Sequence, residues 1–356
     1  MKKILIVFLI VFASISLISC NKSIPEGTKE KQEKKAEDYK NTENLMKTYL
    51  ELTMQGRDEE AEKLVKKEEG KKFIKTNNNL KLIGYKMTSV SRVVDNMLVN
   101  VAFTLVEPGK PYYSIDNVRY TVGMVENELK IKKIENKDST IFFKGMSKGE
   151  EVFLLNTGDV TNEKAILKVG AIPSYVNVKN NSLNEEKAFV NTKNFGPVAI
   201  SKDGSQLLLT TEHNGNTLLF RSEMILTTFK DEIKTSQGTP SESIQKSVEG
   251  KATEVEGVDY LENTLVEFIG VSPSGNTTYV QTNSNGKIGF YIYSINSKNI
   301  LAPKIWEKFN SSEYNVINAY FNNDDSMILQ VKNIKDNKTE NYVLDILGDK
   351  FVKQEE

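Results

Sequence analysis

The feature that most constrains the fold of this chain is a repeat. Ile200-Ser201-Lys202-Asp203-Gly204-Ser205-Gln206-Leu207-Leu208-Leu209 aligns with Val271-Ser272-Pro273-Ser274-Gly275-Asn276-Thr277-Thr278-Tyr279-Val280. Phe321-Asn322-Asn323-Asp324-Asp325-Ser326-Met327-Ile328-Leu329 is a weaker third copy. Each reads as an apolar strand, a tight turn and a second strand, with glycine supplying a positive φ that other residues adopt only at a cost. A further turn and strand follow every copy. Asn214-Gly215 precedes Leu218-Leu219-Phe220, Asn285-Gly286 precedes Phe290 to Tyr293, and Asp336-Asn337 precedes Tyr342-Val343-Leu344. The pattern predicts a three- to four-stranded meander repeated at least three times.

The spacing agrees. Ser272 and Asn322 lie 50 residues apart and Ser201 and Ser272 lie 71 apart, the longer interval holding a polar stretch from Lys230 to Gly257. Without those 28 residues 43 remain, near the ~40–45 of a propeller blade. The Ser-x-Asp/Ser-Gly turn is similar to that of TolB-type and WD40-like propeller blades, whose usual form is Ser-Pro-Asp-Gly. Ser272-Pro273-Ser274-Gly275 departs at the third position, Ser201-Lys202-Asp203-Gly204 at the second, and Asn322-Asn323-Asp324-Asp325 at the first, second and fourth. The resemblance implies an all-β propeller-like domain, complete or incomplete, over residues 145–352. Gly145 to Phe351 has room for about five blades at ~40 residues each, fewer once the insertion is discounted. A loop as long as the 230–257 insertion is usually functional or disordered. Disorder is the expectation here, and contact with a partner is the alternative.

Upstream, the pattern turns helical at Asn44, where Leu45, Tyr49 and Leu52 recur at three- and four-residue spacing until Gly56. Asp58 opens a second helix with Ala61, Leu64 and Val65 on one face, stopped near Gly70. Strands are expected over residues 81–85, 91–94, 98–106, 118–125 and 129–134, with turns at Asp95-Asn96, Glu107 to Pro111 and Glu126-Asn127. Two helices followed by an antiparallel sheet predict an α+β domain over residues 42–136. The element order is similar to the cystatin/NTF2-like architecture, which implies two helices packed on a curved sheet. Some members of that superfamily enclose a catalytic polar pocket. This stretch offers no histidine and no acidic pair to place in one, so it reads as a structural or interaction domain.

At the N-terminus, Lys2-Lys3 precede fifteen residues, Ile4 to Ile18, interrupted only by Ala13, Ser14 and Ser16. This is the charged and apolar order of a secretory signal, short for a bilayer that takes roughly 20 helical residues to cross. Leu17-Ile18-Ser19-Cys20 directly after it resembles the bacterial lipobox. The resemblance implies a diacylglyceryl group on the Cys20 sulfur and cleavage after Ser19, and an uncleaved anchor is the alternative. Residues 1–19 are then a signal peptide and residues 20–41 a charged tether, either solvated chain or a frayed helix. Cys20 is the single cysteine, so the mature chain can form no internal disulfide. Two or three acyl chains hold a protein stably on a membrane where one would not.

Charge is nearly balanced, 47 basic against 48 acidic residues, which excludes the basic footprint of a nucleic-acid binder. His213, the one histidine, is expected at an exposed hairpin turn rather than in catalysis. Asn322 to Asp325 has oxygen ligands for Ca²⁺ but lacks the spaced pattern of a calcium loop, so it reads as a turn. Trp306, Phe309 and Tyr314 are either packing between repeats or part of a binding surface. No catalytic, cofactor-binding or metal-ligating residue is expected, and lipidation of Cys20 is the one assigned modification. The function read from these features is a lipid-anchored, extracytoplasmic, non-catalytic binding or scaffold protein of the bacterial cell envelope, engaging a protein or glycan partner. The alternative is a surface hydrolase of the carboxylate-based glycosidase type, which needs two acidic side chains about 5–9.5 Å apart.

Overall fold

The structure, a computed structural model, describes residues 26–67, 79–156, 163–179, 185–189, 194–201, 204–231, 245–284 and 287–354. Its contacts divide the chain into a short unit ending at Lys47 and a large unit from Thr48 to Glu356. The large unit is built almost wholly of strands. A six-stranded antiparallel meander comprises β1 (Lys81–Val93), β2 (Asn96–Val106), β3 (Tyr112–Val125), β4 (Glu128–Ser147), β5 (Glu150–Asn156) and β6 (Lys164–Lys168). A small hairpin of β7 (Tyr175–Lys179) and β8 (Glu185–Phe189) follows. Three four-stranded meanders complete it. They are β9 (Asn194–Ile200) to β10 (Gln206–His213), β11 (Asn216–Asp231) and β12 (Gln245–Leu261); then β13 (Leu265–Val271), β14 (Thr277–Ser284), β15 (Lys287–Ser294) and β16 (Ile300–Leu301); then β17 (Tyr314–Phe321), β18 (Ser326–Asn333), β19 (Thr339–Asp345) and β20 (Lys350–Lys353). A four-stranded meander is the blade unit of a propeller, and the fold is propeller-like in that sense.

The expected fold class, a two-helix α+β domain followed by a separate all-β domain, is corrected. One helix, α1 (Glu26–Met54), runs unbroken through the stretch expected to hold both a tether and a first helix, and α2 (Asp58–Lys63) is only six residues long. The second helix stops early because the next backbone groups are taken by a strand. Ile131 N–H donates to Leu64 O at 3.0 Å, and Lys66 N–H donates to Ile131 O at 2.8 Å. Nor does the sheet end near residue 134. β4 passes through 136 to Ser147 and turns into β5 and β6. One hydrophobic cluster joins Ile83, Val106 and Phe142 of the six-stranded sheet to Leu209, Phe268 and Leu329 of the three meanders. No NTF2-like cone of two helices on a sheet is formed by the described residues.

The repeats hold at the level of single hydrogen bonds. Ser201 N–H donates to Gln206 O at 2.9 Å while its hydroxyl accepts from Gln206 N–H at 2.8 Å. Ser272 does the same with Thr277, at 2.8 and 3.2 Å. Both serines are buried, so each hydroxyl satisfies a donor that the turn would otherwise strand. In the third copy Asn322 N–H donates to Ser326 O at 2.9 Å, and Asp324 Oδ1 accepts from Ser274 N–H, linking two successive turns. Asn214 and Gly215 have φ of 51° and 81°, the two left-handed residues that a tight hairpin with the native strand twist requires.

The edge strands show how the sheets are joined. β1, β9, β13 and β17 each lie at an edge of their sheet, and each carries a bulge, at Ile83, Gly196-Pro197, Glu267 and Ile317 respectively. A bulge leaves backbone groups outside the ladder and blunts an edge against further pairing. Three of the four bulge carbonyls find other donors, and the fourth, of Ile83, lies beside one. Thr210 Oγ1 donates to Pro197 O at 2.9 Å, Gly109 N–H to Glu267 O at 2.8 Å and Lys81 Nζ to Ile317 O at 3.1 Å. The fully buried Tyr279 hydroxyl donates to Ala319 O at 2.8 Å and lies 3.4 Å from Ile83 O. Three of these four contacts cross between sheets. Gly270 makes room for the tyrosine, since a Cβ there would stand 2.1 Å from its ring. β17 thus lies against β1 and β13, β13 against β9, and β9 against β3. The six-stranded sheet lies beside the first and third meanders.

Candidate functional site

The 230–257 insertion is not a plain loop. β11 and β12 pair from Thr217–Leu261 out to Asp231–Gln245, whereas β10 accompanies β11 only as far as Glu223. The hairpin therefore continues as a two-stranded arm beyond its four-stranded sheet. Its central segment, 232–244, lies outside the described residues.

At the root of this arm the ladder is interrupted. Arg221 faces Glu256 and Phe220 faces Gly257, but Leu219 faces Asp259, so Val258 is the extra residue of a bulge. Side chains alternate along a strand, and without the bulge Glu256 and Asp259 would point to opposite faces. With it they stand two ladder steps apart on one face, about 7 Å between Cα atoms at ~3.4 Å per step. Both line a cleft of about 700 Å³ together with Tyr175, Asn177, Ser297 and Asn299.

The two carboxylates have opposite environments. Arg221 donates to Glu256 Oε2 from Nε at 3.0 Å and from Nη2 at 2.8 Å, and Lys298 Nζ lies 3.3 Å from the same oxygen. The hydrogen bond from Arg221, with Lys298 adding to it, holds the Glu256 carboxyl below its ordinary range. Arg221 is itself fixed by Nη1, which donates to Ile295 O at 2.8 Å. Asp259 is more deeply set, and burial raises its carboxyl although two donors oppose the effect. These are the Tyr293 hydroxyl on Oδ2 and Tyr260 N–H on Oδ1, both at 2.8 Å. At the rim, the exposed Tyr175 and Phe189 rings lie 5.7 Å apart, with Lys187 Nζ 4.4 Å above the Tyr175 ring.

The residues singled out in the sequence fall as follows. Cys20 and residues 1–19 lie outside the described residues. His213 is partly buried, paired across the turn with Asn216 at the end of β10. Asn322 to Asp325 is a turn whose Asp324 Oδ1 serves Ser274, and among the described residues no group of three or more His, Cys, Asp or Glu side chains could hold a metal. Phe309 is packing, edge-on to Tyr314, Tyr342 and Phe351 at 4.9–5.9 Å. Trp306 is 40% exposed. No helix among the described residues is long and apolar enough to cross a membrane. Sequence reasoning missed Arg221, Glu256, Asp259, Tyr293 and Lys298, which belong to three separate strands and a turn. The one local signal was Gly257-Val258 within an otherwise alternating strand, a position where a bulge is common.

No protein-family model and no curated protein matches the sequence. Among solved structures, the chain is similar to oligopeptidase B from Leishmania major at 9% identity and a TM-score of 0.28, over 82% of this chain and 36% of that one. It is similar to TolB from Acinetobacter baumannii at 10% identity and a TM-score of 0.22, over 78% and 80% of the two chains. A functionally unknown protein from Desulfotomaculum acetoxidans is similar at 9% identity and a TM-score of 0.24, over 71% and 90%. The chain therefore spans little more than a third of oligopeptidase B. The propeller-like character is carried by this chain's own meanders rather than by these similarities.

Proposed function

We propose that this protein is a lipid-anchored, extracytoplasmic, non-catalytic binding or scaffold protein of the bacterial cell envelope that engages a protein or glycan partner through its propeller-like sheets. The lipobox-like Leu17-Ile18-Ser19-Cys20 supports the anchor. The observation that carries the binding role is the β11–β12 arm, with the charged cleft at its root lined by Glu256, Asp259 and Lys298. A two-stranded extension past a sheet adds contact surface without adding to the packed core. Two experiments test the reading. Labelled palmitate is expected to mark the wild-type protein and not Cys20→Ala, whose release from the membrane fraction should follow. Full-length protein with residues 225–251 replaced by a short Gly-containing turn is expected to lose its cross-linked envelope partner. Unchanged cross-linking would remove the arm from the function.

A second reading, a carboxylate-based glycoside hydrolase, is favoured by one specific feature: two acidic groups on one face whose protonation is pushed in opposite directions. In that case Asp259 protonates the leaving oxygen, and Glu256 either receives the sugar or activates water. Turnover of any glycoside by the full chain, abolished by Asp259→Asn, would establish this reading against the non-catalytic one.

A further inference from the structure

We propose that the cleft beside Trp306 is a carbohydrate subsite in which the indole face stacks on a pyranose ring. It shares no lining residue with the arm-root cleft, so it stands or falls independently of the function proposed for that cleft.

The short helix α3 (Ile305–Lys308) buries Ile305 inward, and Phe309 after it is buried too, which turns Trp306 aside. The indole is held twice. Nε1 donates to Phe290 O at 2.7 Å, and the Tyr291 ring meets it edge-on at 5.2 Å. With its one polar atom committed to Phe290 O and 40% of the residue still exposed, what Trp306 offers outward is a rigid apolar surface. Such a face gains by being covered, and little side-chain entropy remains to be lost when it is.

The rest of the cleft is of a different kind. It encloses about 410 Å³, lined beside the indole by Ser284, Asn310 and Ser311 and by the buried Thr264 and Thr282. Ser284 Oγ donates to Asn263 O at 2.7 Å and Thr264 Oγ1 to Glu262 O at 2.8 Å. Each hydroxyl oxygen therefore keeps acceptor capacity for a ligand O–H. Among the described lining residues Lys287 is the one charged side chain, which suits a neutral ligand better than a phosphate or a polyacid. An apolar C–H face bounded by hydroxyls is the chemistry of a pyranose, and the volume lies within the range of small-molecule sites.

Trp306 is the only tryptophan in the chain, so its emission reports on this site alone. Full-length protein would be titrated with tetrasaccharides of β-linked N-acetylglucosamine, β-linked glucose and α-linked glucose. The expected result is a saturable change with at least one of them, at a dissociation constant on the order of 1 mM or tighter, with Trp306 shielded from acrylamide quenching. Ser311→Leu fills the cleft and leaves the reporter in place, and it should weaken binding at least about tenfold with an unchanged unfolding midpoint. Should that variant unfold, Trp306→Phe read by calorimetry takes its place with the same expected loss. No response to any of the three sugars would overturn the proposal, as would sugar binding that survives the filled cleft, or a response confined to an added envelope protein.

Discussion

Lys81 offers a quantitative test of whether the six-stranded sheet is docked on the meanders. Its Nζ donates to Ile317 O and lies 4.3 Å over the Phe268 ring, so the amine of β1 is buried against β17 and β13. Burial pushes its pKa down to about 8, with the Glu267 carboxylate nearby opposing the shift. The unfolded chain has the ordinary value of about 10.4. Between those values the unfolded state binds the proton that the native state has released, and stability therefore rises with pH. Integrating this single site from pH 7.5 to 9.5 gives a gain of about 2 kcal/mol. Many buried tyrosines act in the opposite direction as they approach ionisation in the unfolded chain, but they are common to wild type and Lys81→Met. The measurement is the difference in unfolding free energy between those two proteins, from urea titrations at several pH values. Wild type is expected to gain about 2 kcal/mol on the variant across this range. A difference flat to within a few tenths of a kcal/mol would mean that the amine titrates in water and that β1 is not docked as described.

Tyr279→Phe keeps the ring but removes the donor from the buried Ala319 carbonyl, and denaturant titration is expected to show a loss of about 1–3 kcal/mol. Ser201→Ala and Ser272→Ala each strand one turn N–H and should cost about 0.5–1.5 kcal/mol apiece by denaturant titration. Burial raises the Asp259 carboxyl, so just above the ordinary aspartate pKa the native state binds more protons than the unfolded one, and stability falls as pH rises there. Asp259→Asn is expected to flatten that part of the stability–pH profile, and an unchanged slope would show the carboxyl to be solvated.

The strands and turns were legible wherever the information was local. Asn214-Gly215 and Glu126-Asn127 sit where two left-handed residues are needed, and both pairs adopt positive φ. The Ser-x-Asp/Ser-Gly signature marked the starts of β10 and β14, because its serine serves the first N–H of the following strand. The N-terminal region misled for the same reason. Helical periodicity at Ala61, Leu64 and Val65 described a local preference, and the pairing of Val65 with Ile131 in β4 overrode it. The separation into two domains rested on a change of local pattern near residue 136. Whether strands on either side share a core depends on side chains distant in sequence, and Phe142, Leu209 and Phe268 do share one.

By itself, then, the sequence determined a repeated β-meander and the positions of its tight turns. These follow from alternation, positive-φ residues and composition, all of which act over a few neighbours. Only the tertiary structure decided that a six-stranded sheet packs beside the meanders, that bulges on three edge strands are contacted from other sheets, and that Glu256 and Asp259 share a face. Each of these depends on which strand lies next to which, and a one-residue bulge at Val258 is enough to change the side on which an acid emerges.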